Sequence, residues 1–340
     1  MLKMNELLTA KSCEQHKEPP GFENKLLIIK PEKLRPEFRK PYFQYFFAES
    51  GFGCYPTVFG TKVFGRFLAD NQRSQMYRDD FIGVADRSQL PKWAERRLEI
   101  LEKPKMQVRI YQLKDSSENL FMNYNHTMSY GGIRAEEYRQ IYGGEVFADG
   151  LDRVFMLGNT DQPPGYCGRS VSVSDVIEIC EGKDKGFYYV DSFGFKKLDD
   201  FDISKTDHAD MMKILVLEND RPPYVAEIRH DGIEAMQSVV GGSFECVYFE
   251  PKGDAVCWCN DEFLLNDSAP NRMIGETLVH GTCFISGDGM NEYGEYDACS
   301  LTDQQIELYS RMFPQSGICI EEMQEEPTEE MSEEIGQTMT

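Results

Sequence analysis

Short apolar runs, broken by glycine, proline and charged residues, set the pattern of this chain. Lys25 to Lys30 (KLLIIK) predicts a buried strand ended by Pro31. An aromatic-rich, glycine-punctuated stretch follows, with Tyr42, Phe43, Tyr45, Phe46, Phe47, Phe52, Tyr55, Phe59, Phe64 and Phe67 in no clear period. Phe81 to Val84 predicts a second strand. Leu90-Pro91 then opens a helix whose apolar face is Trp93, Ala94, Leu98 and Leu101 and which Pro104 stops.

Gln107 to Leu113 alternates and predicts a strand that begins a new module. The stretch 115–150 reads as loop with a helical piece over Ala135 to Ile141. Val154 to Leu157 and Ser172 to Cys180 read as strands. Glu181 to Gly186 is a hairpin loop leading into Phe187 to Val190. A fresh pattern begins at Met212: Ile214 to Leu217 is apolar, Arg221-Pro222-Pro223 signals a turn, and Tyr224 to Ile228 is again strand-like. A helix with Ile233, Met236 and Val240 follows, capped by Gly241-Gly242. Phe244 to Phe249, Ala255 to Cys259 and Leu278 to Ile285 predict strands, and Asp303 to Phe313 a final amphipathic helix.

This order predicts an α+β protein of two or three small modules, with mostly antiparallel sheets and flanking helices. The expected layout is a poorly ordered 1–20, an accessory module at 21–103, a second at 107–198, a linker at 199–210, a third at 211–315, and an acidic disordered tail at 320–340. The modules are expected to fold independently.

Charge sharpens the division. Residues 1–200 carry 29 basic and 29 acidic side chains, whereas 201–340 carry 7 and 29, so the net charge of −22 sits on the last part. Such a surface repels nucleic acid and anionic membranes. It suits solubility, a basic or DNA-binding protein partner, or imitation of a phosphate backbone. Several of the ten cysteines lie in strand-like runs, as small buried hydrophobes do. Met1 to Glu18 lacks the apolar core of a signal peptide, and no stretch reaches the roughly 20 apolar residues of a membrane span. A reducing cytoplasm and no membrane contact are the expectation.

Candidate chemistry is thin, and the reading leans away from an enzyme. Cys257-x-Cys259 has the wrong spacing for a zinc pair. Ser286 to Glu292 misses the ligand positions of a calcium loop. Gly51 to Gly65 lacks the strand and helix that frame a nucleotide-binding loop. His280 and Cys283 fall on opposite faces of one predicted strand, with no third group identified for nucleophilic chemistry. No metal, cofactor or catalytic residue is therefore expected. Cys167, in the glycine-rich stretch Pro163 to Ser170, has Arg169 nearby to lower its pKa. Ser174, Asp175, Asp191 and Ser192 stand in the most distinctive strings. The two carboxylates would converge, and could hold a metal or transfer protons, only if their strands pair; turn and cap roles are favoured. A hydrolase would need several of Cys167, Asp175, Asp191 and His126 around one concave site. Separately, the aromatics with Arg66, Arg73 and Arg78 suggest an alternative, a single-stranded nucleic-acid binder working through 21–110.

Two sets of three strings carry resemblances. VRIYQLK at 108–114, GRSVSVSDVIEI at 168–179 and YYVDSFGFKKL at 188–198 resemble the YodL-like domain family. MKILVLENDRPPYVAEI at 212–228, the VGG at 240–242 and LTDQQIELYSRMF at 301–313 resemble domain of unknown function 3846. The stretch containing YRDDFIGVADRSQLPKWAERRL looks like an accessory segment of such proteins. The resemblance implies a multi-domain accessory protein of a mobile element, conjugative element or phage of Gram-positive bacteria. It implies the company of antirestriction domains and transfers no catalytic residue. With the charge segregation, the expectation is counter-defence or regulation through contacts of the acidic third with a host or element-encoded protein.

Overall fold

The computed structural model describes residues 6–56, 61–219, 221–249, 254–290 and 296–314. The expected acidic tail, the turn at 250–253 and the end of the calcium-like loop lie outside them. Two compact units result, one up to Glu102 and one from Lys103 to Pro314.

In the first unit, β1 (Lys25–Ile29), β2 (Tyr45–Ser50), β3 (Lys62–Phe67), β4 (Arg73–Tyr77) and β5 (Phe81–Val84) form an antiparallel sheet in the order β4-β3-β2-β1-β5. Strand β1 is buried on both faces, so its sequence shows no polar alternation. Leu26 and Ile28 join Tyr45, Phe47 and the Trp93 side of helix α1 (Lys92–Glu102). Leu27 and Ile29 join Phe46, Val63 and Phe81 on the other face. The aromatic stretch feeds both cores, which is why no period reveals β2 to β4. The N-terminal segment, expected to be poorly ordered, is tied down from Leu8 onward. Leu8 exchanges two hydrogen bonds with the Gln44 amide (2.7 and 3.1 Å), and Cys13 bridges to Ala85.

The second unit begins with β6 (Met106–Leu113), α2 (Tyr124–Ser129), β7 (Tyr138–Val146), α3 (Leu151–Thr160), β8 (Val176–Ile179), β9 (Gly186–Val190) and β10 (Phe195–Leu198). It continues with β11 (Met211–Leu217), β12 (Tyr224–Arg229), α4 (Glu234–Val240), β13 (Phe244–Val247) and β14 (Ala255–Asn260). It ends with β15 (Pro270–Ile274), β16 (Thr277–His280), β17 (Cys283–Met290), β18 (Tyr296–Cys299) and α5 (Asp303–Met312).

Three readings need correction. Val154 to Leu157 is helical, because a four-residue apolar run does not separate helix from strand and Leu151, Phe155 and Gly158 complete a helical face. Ala135 to Ile141 is one 3-10 turn running into β7, a strand disguised by Arg139, Gln140 and two glycines. Leu278 to Ile285 is two strands broken at Gly281, whose φ of +68° sets the turn and leaves His280 and Cys283 on different strands. The Arg221-Pro-Pro turn, the Gly241 cap and the 181–186 hairpin form as read.

One antiparallel sheet runs through the whole unit in the order β10-β9-β8-β6-β7-β12-β11-β17-β14-β13, with β18 beside β17. The join is β7 against β12, where Tyr142, Gly143 and Gly144 face Ile228, Glu227 and Ala226. The expected linker is pinned as well: Asp207 trades backbone hydrogen bonds with Tyr138 and Gln140 (2.9 and 3.0 Å), and Phe201 is buried. One apolar core covers the front face and takes Val108, Ile177 and Val190 together with Ile214, Ala226, α3 and α4. Independent modules joined end to end therefore do not describe residues 107–313. The back face is different. It has a core on each side, around Tyr111 and Tyr189 and around Leu215 and Cys257, with charged side chains between them.

Candidate functional site

The loop from Asp161 to Asp175 connects α3 to β8 and carries most of the residues singled out from the sequence. Gly165 (φ +86°) needs both a left-handed backbone and no side chain, since a Cβ there would stand 2.4 Å from Ile228 Cγ2. Gln112 on β6 holds the next residues. Its Nε2 donates to Arg169 O (2.8 Å) and to Asp175 Oδ2 (3.2 Å), and its Oε1 accepts from Arg169 N (3.1 Å). Tyr166 Oη also donates to Arg169 O (2.7 Å).

Asp175 is fully buried and bound from three sides. Arg169 reaches both carboxylate oxygens, through Nη1 to Oδ2 at 2.8 Å and through Nη2 to Oδ1, and the Ser172 amide donates at 2.8 Å. Burial pushes the Asp175 carboxyl up to about 6, against the Arg169 guanidinium and the amide donors that favour its charged form. The next strained position is Ser174, at φ +82°. Its Oγ accepts from the backbone N–H of Phe121, itself at φ +64°, at 2.9 Å. Two side-chain-bearing residues in left-handed conformations thus lean on each other. For a residue as bulky as phenylalanine this is costly unless its surroundings enforce it. The Tyr138 hydroxyl, donating to Ser174 O at 2.9 Å, is part of that enforcement. The result is a displayed surface: Phe121 is 53% exposed, and the Arg169 guanidinium lies 4.9 Å from its ring centre.

Asp191 and Ser192 form the hairpin tip between β9 and β10. Asp191 Oδ1 accepts from the Tyr124 and Ser192 amides (3.0 and 2.8 Å), a cap on the start of α2. Phe193 beside it is 93% exposed. The strands of Asp175 and Asp191 do pair, but the carboxylates do not share a water-filled space, because Asp175 is sealed from solvent. Cys167 is half-buried against the front core, and burial pushes its thiol up rather than leaving it a ready nucleophile. It lines a pocket of about 600 Å³ with Lys114, Arg139 and Arg169. Cys257, Cys259 and Cys283 belong to the back core with Leu215 and Tyr309.

Sequence reasoning missed Phe121 and Gln112. Only the tertiary contact with Ser174 marks Phe121, and Gln112 looked like an ordinary polar position of a strand. It also read Arg221 only as part of a turn. The Arg221 guanidinium is buried between the rings of Phe147 and Tyr224 (4.3 and 3.7 Å) and bound by Glu145 and Glu218.

Three of the six basic residues of 212–314 share that inward orientation. Arg221, Arg229 and Arg272 are 4, 3 and 3% exposed. Arg229 is held by Asp210 and Asp231, and Arg272 by the carbonyls of Glu218 and Phe313 (2.9 and 2.6 Å). Residues 212–314 contain 18 acidic and six basic side chains, so burying three cations leaves the surface overwhelmingly anionic. At the junction upstream cations reach over, Arg109 to Glu227 and Arg139 to Asp231.

Two family models match the chain, the YodL-like domain over residues 107–201 and a Domain of unknown function (DUF3846) over residues 212–314. No curated protein and no solved structure matches it. Among the described residues no helix is long and apolar enough to cross a membrane. The chain thus carries a YodL-like domain followed by a DUF3846 domain, and the two share one sheet.

Proposed function

We propose that this chain is an accessory protein of a mobile genetic element that works in the cytoplasm by binding a protein, in a counter-defence role of the antirestriction type. The observation that carries the reading is the inward burial of Arg221, Arg229 and Arg272, which strips the surface of 212–314 of half its cations, while carboxylates such as Glu245, Asp261 and Asp267 are exposed. Such a surface offers a DNA-binding protein the charge pattern it expects from a phosphate backbone. Phe121 with Arg169, and the exposed Phe193, add the aromatic and arginine groups that anchor protein contacts. The sealed Asp175 speaks against a two-carboxylate hydrolase.

The test is DNA cleavage by a purified restriction endonuclease with increasing amounts of the chain. Inhibition should appear without any binding of the chain's 212–314 surface to the DNA, and should fade as salt rises. Lysine at the exposed Glu245, Asp261 and Asp267 should abolish it. Inhibition untouched by these three changes, or its absence across representatives of each restriction class, would refute the reading.

A further inference from the structure

We infer that the outer half of the first unit's sheet is a stacking platform for single-stranded nucleic acid. This surface and ligand differ from those proposed above. Helix α1 covers the β1–β2 half of one face, where Trp93 meets Tyr45 with ring centroids 5.8 Å apart. The same face continues over β3 and β4. There Lys62 stands opposite Tyr77, Phe64 opposite Gln75, and Arg66 opposite Arg73. Because side chains alternate along a strand, these six share one side of the sheet, while Val63, Phe67 and Met76 turn into the core beneath.

The chemistry of that side is a repeat of ring and cation. Phe64 is 44% and Tyr77 49% exposed, on diagonal positions of neighbouring strands, roughly 7 Å apart by strand geometry. Lys62 and Arg73 flank them, both exposed. Arg66, at the inner end beside β2, is bound to Glu49 (Nε to Oε1, 2.6 Å), which balances its charge. Consecutive bases of an unpaired strand can each lie on a ring while the flanking cations meet phosphates. A duplex keeps its bases stacked on one another and cannot do so. Charge complementarity agrees with the placement: residues 1–102 hold 17 basic and 14 acidic side chains, whereas 103–314 hold 19 and 36. Of the three arginines suggested by the sequence, only Arg73 serves here. Arg78 is spent on the carbonyls of Gly53 and Pro20 and on the ring of Phe22.

The experiment is fluorescence anisotropy with the full chain at low salt. The probes are a short fluorescein-labelled oligothymidylate, the matching oligouridylate, and a duplex of the same length. At least one single strand should bind, with the duplex ten-fold weaker or worse, and the stronger arm tells DNA from RNA. F64A/Y77A should lose about thirty-fold or more, since it removes the rings under two stacked bases. K62A/R73A should weaken binding and flatten its salt dependence. Leu265→Ala, an exposed change in the other unit, should leave affinity unchanged, and thermal melting should place all variants near the parent. The inference is overturned if neither single strand binds, if the duplex binds equally well, or if F64A/Y77A keeps its affinity. None of these outcomes bears on endonuclease inhibition through 212–314.

Discussion

Arg109 and Glu227 sit on strands that do not pair with each other, yet they share two hydrogen bonds, 2.7 and 2.9 Å, over the strand that separates them. The strand between is β7, and the crossing point is Gly143, where a Cβ would come within 2.8 Å of Glu227 Oε2. Gln140 donates to the same carboxylate at 2.7 Å, and Arg109 also reaches Glu178 at 3.4 Å. Burial opposes the charge on Glu227, but the Arg109 and Gln140 hydrogen bonds hold its carboxyl below the usual range. This charged seam fills the gap between the two back-face cores and clasps the YodL-like region to the DUF3846 region.

A double-mutant cycle on R109A and E227A should therefore give a coupling of about 1–3 kcal/mol in urea unfolding. Glu227 is 20% and Arg109 29% exposed, which keeps the coupling below that of a sealed pair. Additive effects of the two changes would deny the clasp. Gly143→Ala should lower stability by about 1–3 kcal/mol through the clash with the carboxylate.

Residues 103–314 should melt as one cooperative transition, because one front core and one sheet serve both family regions. Near- and far-ultraviolet circular dichroism should give coincident midpoints for this unit. A fragment ending at Asp210 should expose Val108, Ile110 and Tyr142 and bind a hydrophobic dye. A fragment that instead folds with sharp, dispersed amide resonances would contradict the shared core.

Asp175 makes a pH prediction. Its folded pKa, about 6, lies above the roughly 3.9 of an unfolded aspartate. The native state therefore holds the proton more tightly. The stability this contributes is present in full below about pH 4 and is lost as pH rises to about 6. The loss is at most roughly 3 kcal/mol. Asp175→Asn should remove that slope, so the difference between parent and variant stability should change across this window and level off above it. A pH-independent difference would mean that Arg169 keeps the carboxylate charged throughout.

Phe121 tests the strained loop. At φ +64° glycine is at ease and alanine is not, so Phe121→Gly should be more stable than Phe121→Ala by about 1 kcal/mol. Both variants should lose the Arg169 stacking partner. Equal stabilities would mean that the left-handed conformation relaxes when the ring is removed.

Local chemistry alone determined a good part of this protein. The buried strand at 25–29, the hairpin at 181–186, the Pro-Pro turn with its flanking strands, the Gly241 cap and the final helix follow from period, turn residues and caps that act within a few positions. The charge imbalance is likewise written in composition. Tertiary structure alone decided the rest. Strand β7 hides behind Arg139, Gln140 and two glycines, and those residues make sense only beside Arg109 and Glu227, which come from distant parts of the chain. Helix α3 looks like a strand until its outer residues find the front core. Asp175 looks like half of a catalytic pair until Arg169, Gln112 and Ser172 close around it. Periodicity reports which face a residue prefers. It carries no record of which other face will cover it, and here that second choice joined two regions into one sheet and turned half the cations of the last one inward.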